Sequence, residues 1–167
     1  MTDNFYMLKI GGSIITDLSK PNTAKMDEIS RLLDEIKSAM SRSSFKLIIG
    51  HGSGSFGHVS AAKYRIQEGL IDADSRKGAA ITHLVAKELN TLFVKQGLEM
   101  GMNLYPFSPA GFGIGDEMGL SAGFTDHMRF ALENGFIPVV HGDVIMNYSK
   151  GVSISSTEDV LRLYQSR

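Results

Sequence analysis

The sequence lacks cysteine, has almost no net charge and contains no long apolar run, and each absence excludes a class of protein. Without cysteine, the 167-residue chain forms neither a disulfide framework nor a thiolate metal site. A net charge of -1 argues against broad electrostatic binding to nucleic acid. No apolar run reaches membrane-spanning length, and the N-terminus does not resemble a signal peptide. We therefore expect a cytoplasmic protein that binds neither nucleic acid nor membranes.

The rest of the composition is that of an ordinary α/β protein, predicted as a single domain over residues 1–167. Apolar runs of β character alternate with segments whose apolar residues recur at helical spacing. The predicted strands cover residues 5–10, 45–49, 103–107 and 136–140, and the predicted helices cover residues 26–40, 59–64, 76–100 and 125–134. A strand, a helix and a strand in succession imply a parallel pair. We predict a three-layer αβα sandwich with a mostly parallel sheet.

Two segments fall outside this alternation. Residues 108–123 are rich in glycine and show no period, which predicts a long functional or mobile loop. Phe112 and Ile114 on it could either plug the core or line a pocket for an apolar substrate. Residues 144–154 predict a hairpin with its tip at 149–151, and Ser156 to Asp159 form a capping signature that starts a last helix.

The stretch at residues 46–58, K-L-I-I-G-H-G-S-G-S-F-G-H, leads from an apolar strand through glycines into a helical segment. Gly52, Gly54 and Gly57 carry no Cβ that would block a close approach, and a helix N-terminus favours an anion. The same glycines match a dinucleotide-binding pattern, which needs an acidic residue at the end of the next strand. Asp72 and Asp74 lie instead in a polar segment before a long helix. A phosphate-binding turn and a purely structural turn remain the stronger hypotheses.

The first predicted strand also runs into glycines, and it carries Lys9. A lysine in an apolar strand is costly unless its amine reaches a charge. Lys9 and Gly11 are two residues apart, so their side-chain directions share one face of the strand. Lys9 could therefore project towards whatever Gly11 and Gly12 hold. An edge-strand lysine that extends into water explains the pattern equally well.

Together, the two glycine turns resemble the amino-acid kinase superfamily and, within it, the isopentenyl phosphate kinases. The motifs are K-I-G-G-S-I-I-T-D at 9–17, H-G-S-G-S-F-G-H at 51–58 and I-P-V-V-H-G-D-V at 137–144. The pattern departs at Leu18, where the family usually has lysine, although Lys20 follows two residues later. The family's nucleotide-binding lobe, with its T-D-x-D-G segment, is not matched. We expect the acceptor-binding, N-terminal part of such a kinase, which alone does not transfer phosphate at an enzyme-like rate.

The resemblance implies an ATP- and Mg²⁺-dependent phosphotransferase that converts isopentenyl phosphate to isopentenyl diphosphate and forms a homodimer. The implied catalytic residues are Lys9 and His58. The residues implied to line the ATP phosphates are Lys9, Gly11, Gly12 and Ser13. The residues implied to bind the acceptor are Gly52, Ser53, Gly54, His58, Gly142 and Asp143. We assign no metal ligand: Asp17 and Asp143 could belong to a magnesium shell but fit turn formers better.

The walls of the tail pocket and the function itself stay open at this point. The isoprenoid tail needs apolar walls, for which the candidates are the glycine-rich segment and Ile81, Leu84 and Val85. A kinase for another small acid or phosphonate, such as fosfomycin, fits the same turns. A non-catalytic module that holds a phosphorylated small molecule fits them too, whereas a dinucleotide-binding redox domain fits least well. His83, beside the apolar stripe of the long helix, is predicted to be a packed or surface histidine.

Overall fold

The structure is a computed structural model that describes residues 4–123 and 125–166. The strands are β1 Asn4–Ile10, β2 Phe45–His51, β3 Leu104–Phe107, β4 Gly113–Asp116, β5 Gly119–Gly123, β6 Ile137–His141, β7 Asp143–Asn147 and β8 Gly151–Ser155. The helices are α1 Gly12–Ile15, α2 Met26–Arg42, α3 Gly54–Lys63, α4 Ala73–Glu99, α5 Pro109–Phe112, α6 Asp126–Glu133 and α7 Thr157–Gln165, with a 3-10 turn at Ile66–Glu68. Within the described ranges no helix is long and apolar enough to cross a membrane.

Four strands form a wholly parallel sheet in the order β1-β2-β6-β3. Successive residues of a strand point to opposite faces, and the central strands show this alternation. Leu47, Ile49 and Val139 pack with residues of α2 and α4 in one apolar core. Ile48 and Val140 pack with residues of α6 and α7 in another. The sheet is thus covered on both faces, which confirms the predicted three-layer architecture.

A second sheet, in the order β5-β4-β7-β8, contains the predicted hairpin β7–β8 and a hairpin that the sequence did not predict. The predicted loop over residues 108–123 is wrong, because α5, β4 and β5 occupy it. Glycine has a low strand propensity, so the segment lacks the alternation of apolar and polar residues that would predict strands. The strands form because β4 pairs with β7. Phe112 packs against the core between the sheet and α6, in keeping with the core alternative.

The helices after the glycine turn begin earlier than predicted. Helix α3 starts at Gly54 rather than at residue 59, so the last two glycines of the turn lie inside its first turns. Helix α4 starts at Ala73, where Asp72 and Ser75 form a reciprocal capping box. Asp72 therefore caps a helix, and no strand ends at it as a dinucleotide site would require.

Candidate functional site

Parallel pairing of β1 with β2 brings the two glycine turns together. Ile10 lies opposite His51 at the ends of the strands, and the Gly52 amide donates to the Ile10 carbonyl over 3.0 Å. Thr16 then fastens the turns: its hydroxyl donates to the Gly12 carbonyl at 2.7 Å and accepts from the Ser55 amide at 3.0 Å. Two segments about forty residues apart in the chain thus form one continuous backbone surface.

We expect Gly12→Ala to destabilise the fold by about 1–3 kcal/mol, because the added methyl group overlaps rigid backbone. A Cβ at Gly12 would collide with the amide nitrogen and Cα of Gly54. Urea unfolding measures the change in free energy. The matched control is Gly111→Ala, where a Cβ meets nothing within 4 Å. Equal stability of both variants would contradict the close contact of the turns.

A cavity of about 340 Å³ opens where the turns meet. Its wall contains all of the residues that the sequence assigned to the site: Lys9, Gly11, Gly12, Ser13, Gly52, Ser53, Gly54, His58, Gly142 and Asp143. Their individual roles stay a prediction. A second part of the wall is apolar or small: Leu18, Ala61, Thr82, Ala86, Val144 and Ile154. The cavity therefore joins a polar, glycine-rich end to an apolar wall, as a phosphorylated small molecule requires.

The apolar wall differs from the one that the sequence suggested, and no residue of the glycine-rich segment 108–123 lines the cavity. Helix α4 does contribute to it, but with Thr82 and Ala86 instead of the predicted Ile81, Leu84 and Val85. Leu84 is mostly exposed. The apolar stripe was identified correctly as a helix face, but the part of it that borders the cavity depends on how α4 is rotated against α3. The periodicity alone does not specify that rotation.

Lys9 lies on β1, at an edge of the parallel sheet, and its side chain borders the cavity. Lys9 is thus an edge-strand lysine that also borders the cavity, and its contact with a phosphate stays a prediction. Its ammonium Nζ lies 2.9 Å from Oε1 of Glu158, in the first turn of α7. The hydrogen bond from Lys9 is the main cause that lowers the pKa of Glu158. Sequence reasoning missed Glu158, whose only signal was its place inside the capping motif.

Asp143, which also lines the cavity, is at the centre of a buried polar network. Its Oδ1 lies 2.9 Å from Nδ1 of His83, and its Oδ2 accepts a 2.8 Å bond from the Ser108 hydroxyl. His141 Nε2 lies farther from Oδ2, at 3.5 Å. Burial opposes ionisation of Asp143, but the His141 ring and then the bonds from His83 and Ser108 outweigh it and lower its pKa. His83 is half-buried and bonded to a site residue, a role that its position beside the stripe did not reveal.

The chain matches the amino acid kinase family over residues 4–162. It belongs to that family. The isopentenyl phosphate kinase of Methanocaldococcus jannaschii is 29% identical over 163 residues, which are 93% of this chain and 62% of the relative. The isopentenyl phosphate kinase of Methanothermobacter thermautotrophicus is 33% identical over 155 residues, or 89% of this chain and 57% of the relative.

Solved structures of this family agree with the fold. A structure described as isopentenyl phosphate kinase is 31% identical with a TM-score of 0.89, covering 98% of this chain and 68% of that one. The product complex of isopentenyl phosphate kinase from T. acidophilum is 26% identical with a TM-score of 0.81, covering 94% and 62%. The chain thus spans about three fifths of the length of the curated relatives it matches.

Within the family pattern, the two histidines of the glycine turn have opposite environments. His58 is exposed on α3 and borders the cavity. His51 is fully buried, with Nε2 3.0 Å from Oδ1 of Asn90 and its ring stacked on His141. Burial, and then the proximity of His141, lower the pKa of His51 to about 4. His51 is therefore a neutral structural residue, and His58 is the histidine that can meet a ligand.

The sequence departs from the family pattern at Leu18, which follows Asp17 where the family usually has lysine. Leu18 borders the cavity, whereas Lys20 is mostly exposed and its Nζ lies 3.7 Å from Oδ2 of Asp17. Asp17 accepts bonds from the hydroxyl and the amide of Ser19, and the hydroxyl bond is the main cause that lowers its pKa. Asp17 thus acts as a turn former. The described residues contain no cluster of three or more His, Asp or Glu that could hold a metal ion.

Proposed function

We propose that this chain forms the acceptor-binding part of an ATP-dependent kinase that phosphorylates isopentenyl phosphate to isopentenyl diphosphate. One observation carries the proposal: a single cavity joins both glycine turns, Lys9 and His58 to a wall of apolar or small side chains. The names of the relatives support the acceptor. Because the chain spans about three fifths of those relatives, the activity of the whole kinase is part of the proposal.

In this proposal the chain contributes positioning and charge, which are what phosphoryl transfer chiefly needs. Lys9 would lie between the acceptor and the transferred phosphate. The amides of Gly11, Gly12 and Ser13 would face the donor phosphates, and those of Gly52, Ser53 and Gly54 the acceptor. His58 would hydrogen-bond the acceptor phosphate, while Gly142 and Asp143 shape the pocket. ATP would bind as its Mg²⁺ complex, which offsets phosphate charge, and we assign that ion no protein ligand.

We expect His58→Ala to weaken binding of isopentenyl phosphate by about 1.5–3 kcal/mol, since a charged hydrogen bond to phosphate is lost. Isothermal titration calorimetry of the chain with isopentenyl phosphate measures the effect. The control is His127→Ala, an exposed histidine at the start of α6. Equal affinities of the two variants for isopentenyl phosphate would contradict the assignment of His58 to the acceptor phosphate. Binding of fosfomycin with no binding of isopentenyl phosphate would favour a kinase for a phosphonate.

The same proposal includes a homodimer and a cytoplasmic location, where ATP is available. Strand β3 is an edge of the parallel sheet, and a groove of about 810 Å³ lies between it and α6. Tyr105, Phe130 and Phe136 line this groove and are all exposed. Exposed aromatic clusters of this kind mark interfaces. Sedimentation velocity should give a dimer for the wild type and a monomer for Phe130→Ser; monomeric wild type would contradict a dimer through this groove.

A further inference from the structure

The His51 ring is held in the interior by two ring contacts and two polar contacts. It is fully buried, it stacks on His141 with the ring centroids 5.8 Å apart, and its centroid lies 5.3 Å from that of Phe93. Nδ1 of the ring lies 3.2 Å from the carbonyl oxygen of Gly52, and Nε2 lies 3.0 Å from Oδ1 of Asn90. Close packing in a protein interior fixes a side chain held in this way.

The two polar neighbours of the ring share a single proton. Burial, and then His141, lower the pKa of His51 to about 4, so at neutral pH the ring is neutral and carries one N–H. The Gly52 carbonyl can only accept a hydrogen bond, whereas the Asn90 amide becomes a donor after a half turn about its Cβ–Cγ bond. Both contacts are satisfied only when Nδ1 carries the proton and Nε2 accepts from the Asn90 amide nitrogen.

The bond from Nδ1 fixes the peptide unit between Gly52 and Ser53. This peptide bond is trans, and in a trans peptide unit the carbonyl and the amide N–H point in opposite directions. Because the Gly52 carbonyl points at the buried ring, the Ser53 amide hydrogen points away from it. Ser53 lines the cavity, and its amide has no hydrogen-bond partner among the described residues.

Resting on the proposed function, we propose that His51 is a positioning residue that directs the Ser53 amide towards the acceptor phosphate. The contacts run from Asn90 on α4 through the His51 ring and the Gly52 carbonyl to the Ser53 amide. Gly52 needs such support, because a glycine restricts its own backbone least. A donor whose direction is fixed before the ligand arrives binds an anion without the cost of ordering the backbone.

Two variants separate this role from a purely structural one, because each keeps one of the two polar contacts. His51→Asn places an amide nitrogen where Nδ1 lies and keeps the bond to Gly52. His51→Gln places its amide where Nε2 lies and keeps the contact with Asn90. In calorimetric titrations with isopentenyl phosphate at neutral pH, we expect His51→Asn to retain the wild-type affinity within about twofold and His51→Gln to bind at least about tenfold more weakly. Urea unfolding shows that both variants are folded under these conditions.

Two spectroscopic measurements on the wild type test the same role without a substitution. The ¹⁵N NMR shifts of the His51 ring report which nitrogen carries the proton, and we expect Nδ1. The amide resonance of Ser53 should move downfield when isopentenyl phosphate binds, because the amide then donates to the phosphate. The amide of Gly111, which donates to the Ser108 carbonyl away from the cavity, is the control and should not move.

Each outcome bears on one of the two proposals. Equal weakening in both variants, weakening in neither, or the reverse order of affinities overturns the role of His51 and leaves the proposed function standing. A proton on Nε2, or a Ser53 amide that does not respond to bound isopentenyl phosphate, overturns it as well. Failure of the wild type to bind isopentenyl phosphate overturns the proposed function and this inference with it. If either variant does not fold, the tautomer and the Ser53 resonance decide.

Discussion

Replacement of Lys9 by methionine is expected to slow phosphoryl transfer by about 10²–10³-fold, the usual effect of removing one group that stabilises transition-state charge. Lys9 brings an ammonium group to the cavity in which two phosphates would meet, and methionine keeps most of its length without the charge. The ion pair with Glu158 joins two side chains that are 41% and 50% exposed. Such pairs contribute at most about 1 kcal/mol, so the variant should stay folded.

The assay measures transfer from Mg-ATP to isopentenyl phosphate in single turnovers. It uses the chain itself and a chimera that continues with the unmatched residues of an isopentenyl phosphate kinase relative. Lys95→Met, an exposed lysine on α4, is the control. Glu158→Gln tests the partner, because it removes the negative charge beside Lys9 while keeping the side-chain shape. Full activity of Lys9→Met in an active chimera would remove Lys9 from the mechanism and leave it as an edge-strand lysine.

The stability of the fold should fall by about 3 kcal/mol as the pH decreases from about 7 to 4, because of His51. Burial and then His141 lower the pKa of His51 to about 4, whereas the unfolded chain has the ordinary value of 6.5. Between these values the unfolded state binds a proton that the folded state does not. Unfolding is therefore favoured as the pH falls through this window. The stabilisation is complete above pH 6.5 and is lost towards pH 4.

Urea unfolding at several pH values across that window measures the effect. His51→Gln is the comparison, since glutamine does not titrate and can still bond to Asn90. Carboxylates such as Asp143, whose pKa is lowered from 3.8, exert their effect mainly below the window. The variant should be less stable than the wild type at neutral pH and show a flatter pH dependence. Parallel pH profiles would mean that the pKa of His51 is the same in the folded and the unfolded chain, which would contradict its lowering by burial.

The sequence predicted the parts of the fold that depend on local pattern. The strand residues of β1, β2, β3 and β6 and the capping motif of α7 are visible as short runs of neighbours. The glycine turns were located because their motifs are contiguous. Their convergence also followed, since parallel strands joined by a helix end at the same edge of a sheet. The order β1-β2-β6-β3 is not encoded locally and emerged only in the structure.

What sequence reasoning missed depends on contacts between distant segments. Glu158 reaches Lys9 only because α7 packs near the end of β1, about 150 residues away in the chain. His83 bonds to Asp143, which is 60 residues away in the sequence, and no residue pattern around His83 predicts that contact. Strands β4 and β5 are glycine-rich and exist through pairing with β7 and with each other. All of these contacts and pairings depend on the tertiary structure, and the periodicity of the sequence does not predict them.

The most direct test of the central claim is a crystal structure of the chain with isopentenyl phosphate. The account predicts the phosphate within hydrogen-bond distance of His58 and of the amides of Gly52 to Gly54. It predicts the carbon chain against Ala61, Thr82 and Ala86. A ligand bound in the aromatic groove between β3 and α6, or one whose phosphate lies away from both glycine turns, would contradict the assignment of this cavity as the acceptor site.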